Sequence, residues 1–133
     1  MQLEIKEILI KKLNAYTESY LAIKKDKETQ VNVNINILLI DSKRMDDGTI
    51  LFKSSFVLDI IDFGHIDAQL DTIVMPDNQE ELLSELESTD KKLSNINRIQ
   101  IDNAIFYYMM PLILNITDKM QMPIPIPSLS MKE

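Results

Sequence analysis

The chain has 133 residues, 45% of them hydrophobic, so it is long enough for one domain with a real apolar core. Its net charge of −7 argues against a nucleic-acid footprint, and the absence of cysteine excludes disulfides and thiolate metal sites. Eight methionines stand beside only two glycines, and methionine is a flexible, polarizable side chain suited to adaptable binding surfaces.

The N-terminal "MQLEIKEILIKK" alternates charged and apolar residues and does not read as a signal peptide. Residues 2–16 read as a strand. Leu3 and Ile5 alternate, then Ile8 and Ile10, with a slip at Glu7 that predicts a β-bulge. Residues 17–29 form a polar connector with an apolar island of Tyr20, Leu21 and Ile23. "VNVNINILLI" is the clearest strand, with Val31, Val33, Ile35 and Ile37 on one face and asparagines on the other. Asp47-Gly48 signals a hairpin turn. In residues 50–63, Ile50, Phe52, Phe56, Leu58 and Ile60 oppose Lys53, Ser55 and Asp59. Gly64 is expected to turn the chain into a fourth strand, 66–74, where Ile66, Ala68, Leu70 and Val74 oppose Asp67, Gln69 and Asp71. The first half is therefore an antiparallel sheet with one apolar and one polar face.

After Pro76 the period becomes helical. Asn78 and Glu81 have capping-box spacing, Leu82, Leu83, Leu86 and Leu93 are helix-spaced, and "STDKKLSN" interrupts this first helix. A second helix is predicted from about Asn97 to Lys119, apolar most of the way round and kinked at Pro111. The run Ala104 to Leu114 is too short to span a bilayer, which places the protein in the cytoplasm as an expectation. The end, with Met122, Ile124, Ile126 and Leu129 among alternate prolines, reads as an extended arm docked on the body. The fold class expected is α+β: a four-stranded antiparallel sheet, a long kinked helix and a Pro-rich arm, all in one domain spanning 1–133.

Little in the chain suggests catalysis. There is no phosphate loop, no GxSxG motif and no supported nucleophile triad. His65, the only histidine, sits among Asp59, Asp62, Asp67 and Asp71. Asp59, Asp67 and Asp71 are expected on the solvated sheet face and Asp62 and His65 at the turn, an arrangement that makes a solvated surface rather than a metal site. No enzyme activity, metal or cofactor is expected.

The order of four strands, long helix and Pro-rich arm resembles that of the SecB export chaperones. The likeness is greatest at the helix, where "NAIFYYMMPLILNITDKMQMP" from Asn103 is similar to the family's N-L-L-F-P-Y-A-R-E-L-I-S-S-L-T-A-R-G-G-F-P. Asn103, Ile105, Phe106, Tyr108, Leu112, Ile113, Thr117, Lys119 and Pro123 agree, with Ile116 at or beside a match. "ILIKKLNAY" is similar to the family's first strand, I-Y-V-K-D-I-S-F, and Phe56 to Gly64 to its third strand and turn. The family's helix proline falls at Tyr107, its Arg-Glu pair at Met110 and Pro111, and its Gly-Gly pair at Met120 and Gln121. Its second helix and cysteine-containing tail have no counterpart before Glu133, which puts direct docking on the translocase ATPase in doubt.

The resemblance implies an ATP-independent holdase for unfolded or pre-secretory polypeptides, or alternatively a dedicated partner-binding protein such as one that guards an antitoxin. A client groove would then be lined by Tyr16, Tyr20, Leu21, Ile23, Met120, Met122 and Ile124. A homo-oligomer, a dimer of dimers, would pack through Ile105, Tyr108, Met109, Leu112 and Ile116. Separately from the resemblance, the acidic face of Asp59, Asp67 and Asp71 would either serve solubility or dock a cationic partner.

Overall fold

In the computed structural model, which describes residues 2–17, 32–61, 63–87 and 93–120, four strands form one antiparallel sheet in the order β1-β4-β3-β2. They are β1 (Leu3–Thr17), β2 (Val33–Arg44), β3 (Ile50–Ile60) and β4 (Gly64–Pro76). Two helices follow, α1 (Gln79–Glu87) and α2 (Asn95–Lys119). The architecture is α+β, as the alternation of the first half and the helical period of the second require.

Register decides which face each residue takes. Leu3, Ile5, Ile8 and Ile10 of β1 stand opposite Pro76, Val74, Thr72 and Leu70 of β4, so they share the inner face with β3 residues Phe52, Phe56 and Leu58. Keeping them there needs two register shifts, between Ile5 and Glu7 and between Ile10 and Lys12. The first is the bulge expected near Glu7. The second restores Leu13 and Ala15 to the inner face after two consecutive lysines. A third shift lies in β2, between Leu39 and Asp41. Each extra residue resets the two-residue period and bends the strand.

The β2–β3 turn is built by Asp47 and Gly48. Asp47 Oδ1 accepts hydrogen bonds from Thr49 N at 3.1 Å and Thr49 Oγ1 at 2.5 Å, and these bonds lower the Asp47 pKa. Gly48 has φ +89°, a conformation that side chains rarely adopt. Gly64 differs from expectation. It is buried as the first residue of β4, paired with Ile60 on one side and Thr17 on the other, and the turn itself lies just before it.

Asn78 caps α1, its Oδ1 accepting from Glu81 N at 3.1 Å, while its own amide reaches Glu81 Oε2 at 3.4 Å. Ser94 caps α2 by accepting from Asn97 N at 3.3 Å, so this helix starts two residues earlier than the sequence suggested. Asn97, Ile101, Ile105, Met109, Ile113 and Thr117 form an unbroken buried row at four-residue spacing. That row packs on the inner sheet face and completes the core with Phe52, Phe56, Leu58, Ile66, Leu70 and Val74. Pro111 lies inside α2 on its exposed side. Helical structure continues past it to Lys119, because water can serve the carbonyl that loses its donor there.

Candidate polypeptide-binding surface

Among the described residues, two surfaces remain open once the core is assembled. One is the outer side of α2. Ile96, Ile99, Tyr107, Tyr108 and Leu114 are all exposed, Ile96 and Tyr107 by about two thirds (65% and 64%). The helix is apolar nearly all round, but the sheet can bury only one side of it. The expectation that Ile105 and Met109 form an oligomer interface is corrected here: both are fully buried in the chain's own core. Leu112 and Ile116 are half-buried against that core, and only Tyr108 of the five stands exposed.

The other surface is the outer face of the sheet. Asp59, Asp67 and Asp71 do share it, as alternation required. His65 was expected at the turn and is instead the second residue of β4, directly opposite Asp59 on β3 and Tyr16 on β1. Its Nδ1 lies 2.5 Å from Asp59 Oδ1 and its Nε2 2.8 Å from Asp67 Oδ2. Tyr16 stacks on the imidazole, ring centroids 5.2 Å apart and planes 21° from parallel. Asn14 Nδ2 donates to the other Asp67 oxygen at 3.3 Å. The hydrogen bond to Asp59 is the largest influence raising the His65 pKa; partial burial opposes it, and the Asp67 hydrogen bond and both carboxylate charges add to it. Among the described residues no group of three or more His, Asp or Glu is arranged to hold a metal ion. Asp62, also expected at the turn, lies outside the described residues.

Of the residues assigned to a client groove, Tyr16 is 56% exposed on the outer face. Met120 ends α2, half-buried against the core on the other side of the sheet. Tyr20, Leu21, Ile23, Met122 and Ile124 lie outside the described residues. The Tyr16–His65–Asp59 row was missed in the sequence because it joins three strands, and two bulges in β1 set its register. A further feature with no sequence signal is Arg98 of α2, whose Nη2 donates to the Ile37 carbonyl of β2 at 2.6 Å.

The four-stranded antiparallel sheet followed by a long helix is an α+β fold shared with a solved SecB-like structure. A SecB-like chaperone of Mycobacterium tuberculosis, Rv1957, solved in complex with a ChAD peptide from the HigA1 antitoxin Rv1956, superposes with a TM-score of 0.63. That match covers 98% of this chain and 92% of the other at 13% identity. A protein of unknown function from Streptococcus agalactiae matches more loosely, with a TM-score of 0.45 and 9% identity over 89% of each chain. No family model matches the sequence, and no curated protein does. No helix among the described residues is long and apolar enough to cross a membrane.

Proposed function

We propose that this chain is a non-enzymatic polypeptide-binding protein, a SecB-like holdase that takes up unfolded segments without ATP. The observation that carries this reading is the exposed apolar side of α2 on a fold whose M. tuberculosis neighbour was solved holding an antitoxin peptide. Large exposed apolar surface in one chain marks contact with another polypeptide. Eight methionines add side chains that adapt to varied partners. The protein acts in the cytoplasm as one domain spanning 1–133, without metal or cofactor.

We infer that part of this surface joins copies of the chain into a dimer of dimers. The contact uses Tyr107, Tyr108 and Leu114, which are exposed, rather than Ile105 and Met109, which are not, and leaves Ile96 and Ile99 open. Self-complementary pairing of one helix face is the simplest closed arrangement. Tyr16, exposed on the outer sheet face, then stands as a client contact. The acidic outer face offers a second contact, for a cationic partner.

A dedicated partner is the alternative, favoured by the neighbour's being in complex with one antitoxin peptide. Binding assays against several unrelated unfolded proteins separate the two. Broad binding supports the holdase; binding to a single partner supports the dedicated role; binding to neither unfolded chains nor peptides overturns both. Light scattering that gives a monomer at all micromolar concentrations overturns the assembly.

A further inference from the structure

Tyr16, His65 and Asp59 lie in one row across β1, β4 and β3, and Asp67 stands two residues along β4 on the same face. A neutral imidazole carries one N–H and can donate to one carboxylate only. Here each ring nitrogen faces a carboxylate oxygen, at 2.5 and 2.8 Å. Both contacts are hydrogen bonds only when the ring is an imidazolium. The stacked phenol ring of Tyr16 then lies against a cation, which strengthens the stack.

We propose that Asp59, His65 and Asp67 form a proton-dependent clasp that fixes Tyr16 at the end of β1, holding it when the imidazole is protonated and releasing it when the imidazole is neutral. Losing one proton turns one of the two hydrogen bonds into a lone pair facing a carboxylate. The ring must then turn or withdraw, and Tyr16 loses the surface it rests on. Thr17, the next residue, stays anchored through its Oγ1, which donates to the Phe63 carbonyl at 3.0 Å. The change is therefore confined to the outer face.

The charges around the clasp agree with this reading. Among the described residues, β3 contributes Asp59 and β4 contributes Asp67, while β1 contributes the neutral Tyr16 and Asn14. β2 places the uncharged Asn34 opposite Asp59. Cations on this face lie farther along it, Lys53 opposite Asp71, Lys12 opposite Gln69 and Lys43 opposite Leu51. The buried row of α2 packs on the inner face. Carboxylates raise the His65 pKa, so the charged form persists above the ordinary histidine value of about 6.5. A raised folded pKa means that the clasp stabilises fully below that ordinary value and is lost as pH rises through the folded one. Its consequence for binding rests on Tyr16 being a client contact: clients would meet an ordered Tyr16 below this transition and a loose one above it.

The single histidine makes the test direct, because its Cε1 proton is a lone NMR signal that can be followed in the full chain from pH 5 to 9. The expected result is a titration midpoint above the ordinary histidine value, with Tyr16 ring signals moving at the same midpoint. Asp59→Asn and Asp67→Asn should each lower the midpoint, and Tyr16→Leu should remove the ring-current shift on His65. A wild-type midpoint at or below the ordinary value, or Tyr16 signals that ignore the titration, overturns the clasp. If one Asp variant does not fold, the other and the wild-type titration still decide. Binding of reduced, carboxymethylated α-lactalbumin is measured in parallel at pH 6 and 8.5, with weaker binding expected at the higher pH in wild type and no pH difference in His65→Gln. Absence of binding at both values overturns the reading of Tyr16 as a client contact, while the NMR midpoints judge the clasp independently.

Discussion

Arg98 of α2 holds the backbone of Ile37 in β2: its Nη2 donates to the Ile37 carbonyl at 2.6 Å while its Nε donates to Asp102 Oδ1 at 2.9 Å. The Ile61 N to Asn32 O hydrogen bond sets the β2–β3 register so that Asn34 and Asn36 bond inward and Ile37 turns its carbonyl to the open edge. A bare sheet edge invites pairing with other chains, and here a side chain from the helix occupies one of its acceptors.

Replacing Arg98 by Ala should therefore cost about 1–2 kcal/mol, less than a fully buried charged hydrogen bond because both side chains are about one-third exposed. Burial raises the Asp102 pKa and Arg98 opposes that rise. A carboxyl with a raised folded pKa destabilises as pH rises through that value. The Arg98→Ala deficit should thus be smallest in acid and grow toward neutral pH. Urea unfolding at several pH values checks it, and a deficit independent of pH would mean that Asp102 is not coupled to Arg98.

The α1–α2 junction depends on Asn97. Its amide donates to both oxygens of Glu85, at 3.0 and 3.1 Å, and Glu85 Oε1 also accepts from Ser94 N at 2.9 Å. Asn97 is buried, so Asn97→Ala should cost about 1–3 kcal/mol. Glu85→Gln should cost less, since its remaining carbonyl oxygen can still accept. Equal losses for the two variants in thermal unfolding would contradict this division.

The two sides of α2 should respond oppositely to mutation. Ile105→Ala or Ile113→Ala removes a fully buried side chain and should cost about 2–5 kcal/mol. Tyr107→Ser and Leu114→Ser should change the stability of the isolated subunit by about 0.5 kcal/mol or less, yet lower the assembled mass seen by light scattering. An unchanged assembly in the double variant would remove this face as the subunit contact.

At the β2–β3 turn, Gly48→Ala places a Cβ at φ +89°, and that atom would lie 2.5 Å from Gln79 Nε2. The flexible Gln79 amide can move aside, so the backbone dominates, at about 1–2 kcal/mol. Gly48→Asn should cost less, because asparagine tolerates left-handed backbone. Denaturant midpoints for the two variants test the order; Ala no worse than Asn would show that the turn relaxes.

Much of this fold could be read from local periodicity. The alternation of Ile50, Phe52, Phe56, Leu58 and Ile60 against Lys53, Ser55 and Asp59 assigns two faces because successive strand residues point in opposite directions. The bulge near Glu7, the Asp47-Gly48 turn and the Asn78 cap were equally legible, since each is a short-range steric or hydrogen-bonding preference. Periodicity also showed that α2 is apolar on several sides, but not which side the chain itself would bury. That choice follows from how the helix lies on the sheet, and it gave Ile105 and Met109 to the core and left Tyr107 and Leu114 exposed. The His65 clasp and the Arg98–Ile37 tie belong wholly to tertiary structure. They join residues whose separation in sequence is set by nothing local: three strands in register for Tyr16, His65 and Asp59, and a helix 61 residues away for Ile37. Cross-strand register comes from the summed pairing of whole strands, bulges included, and a single strand's pattern carries no record of the partner it will meet.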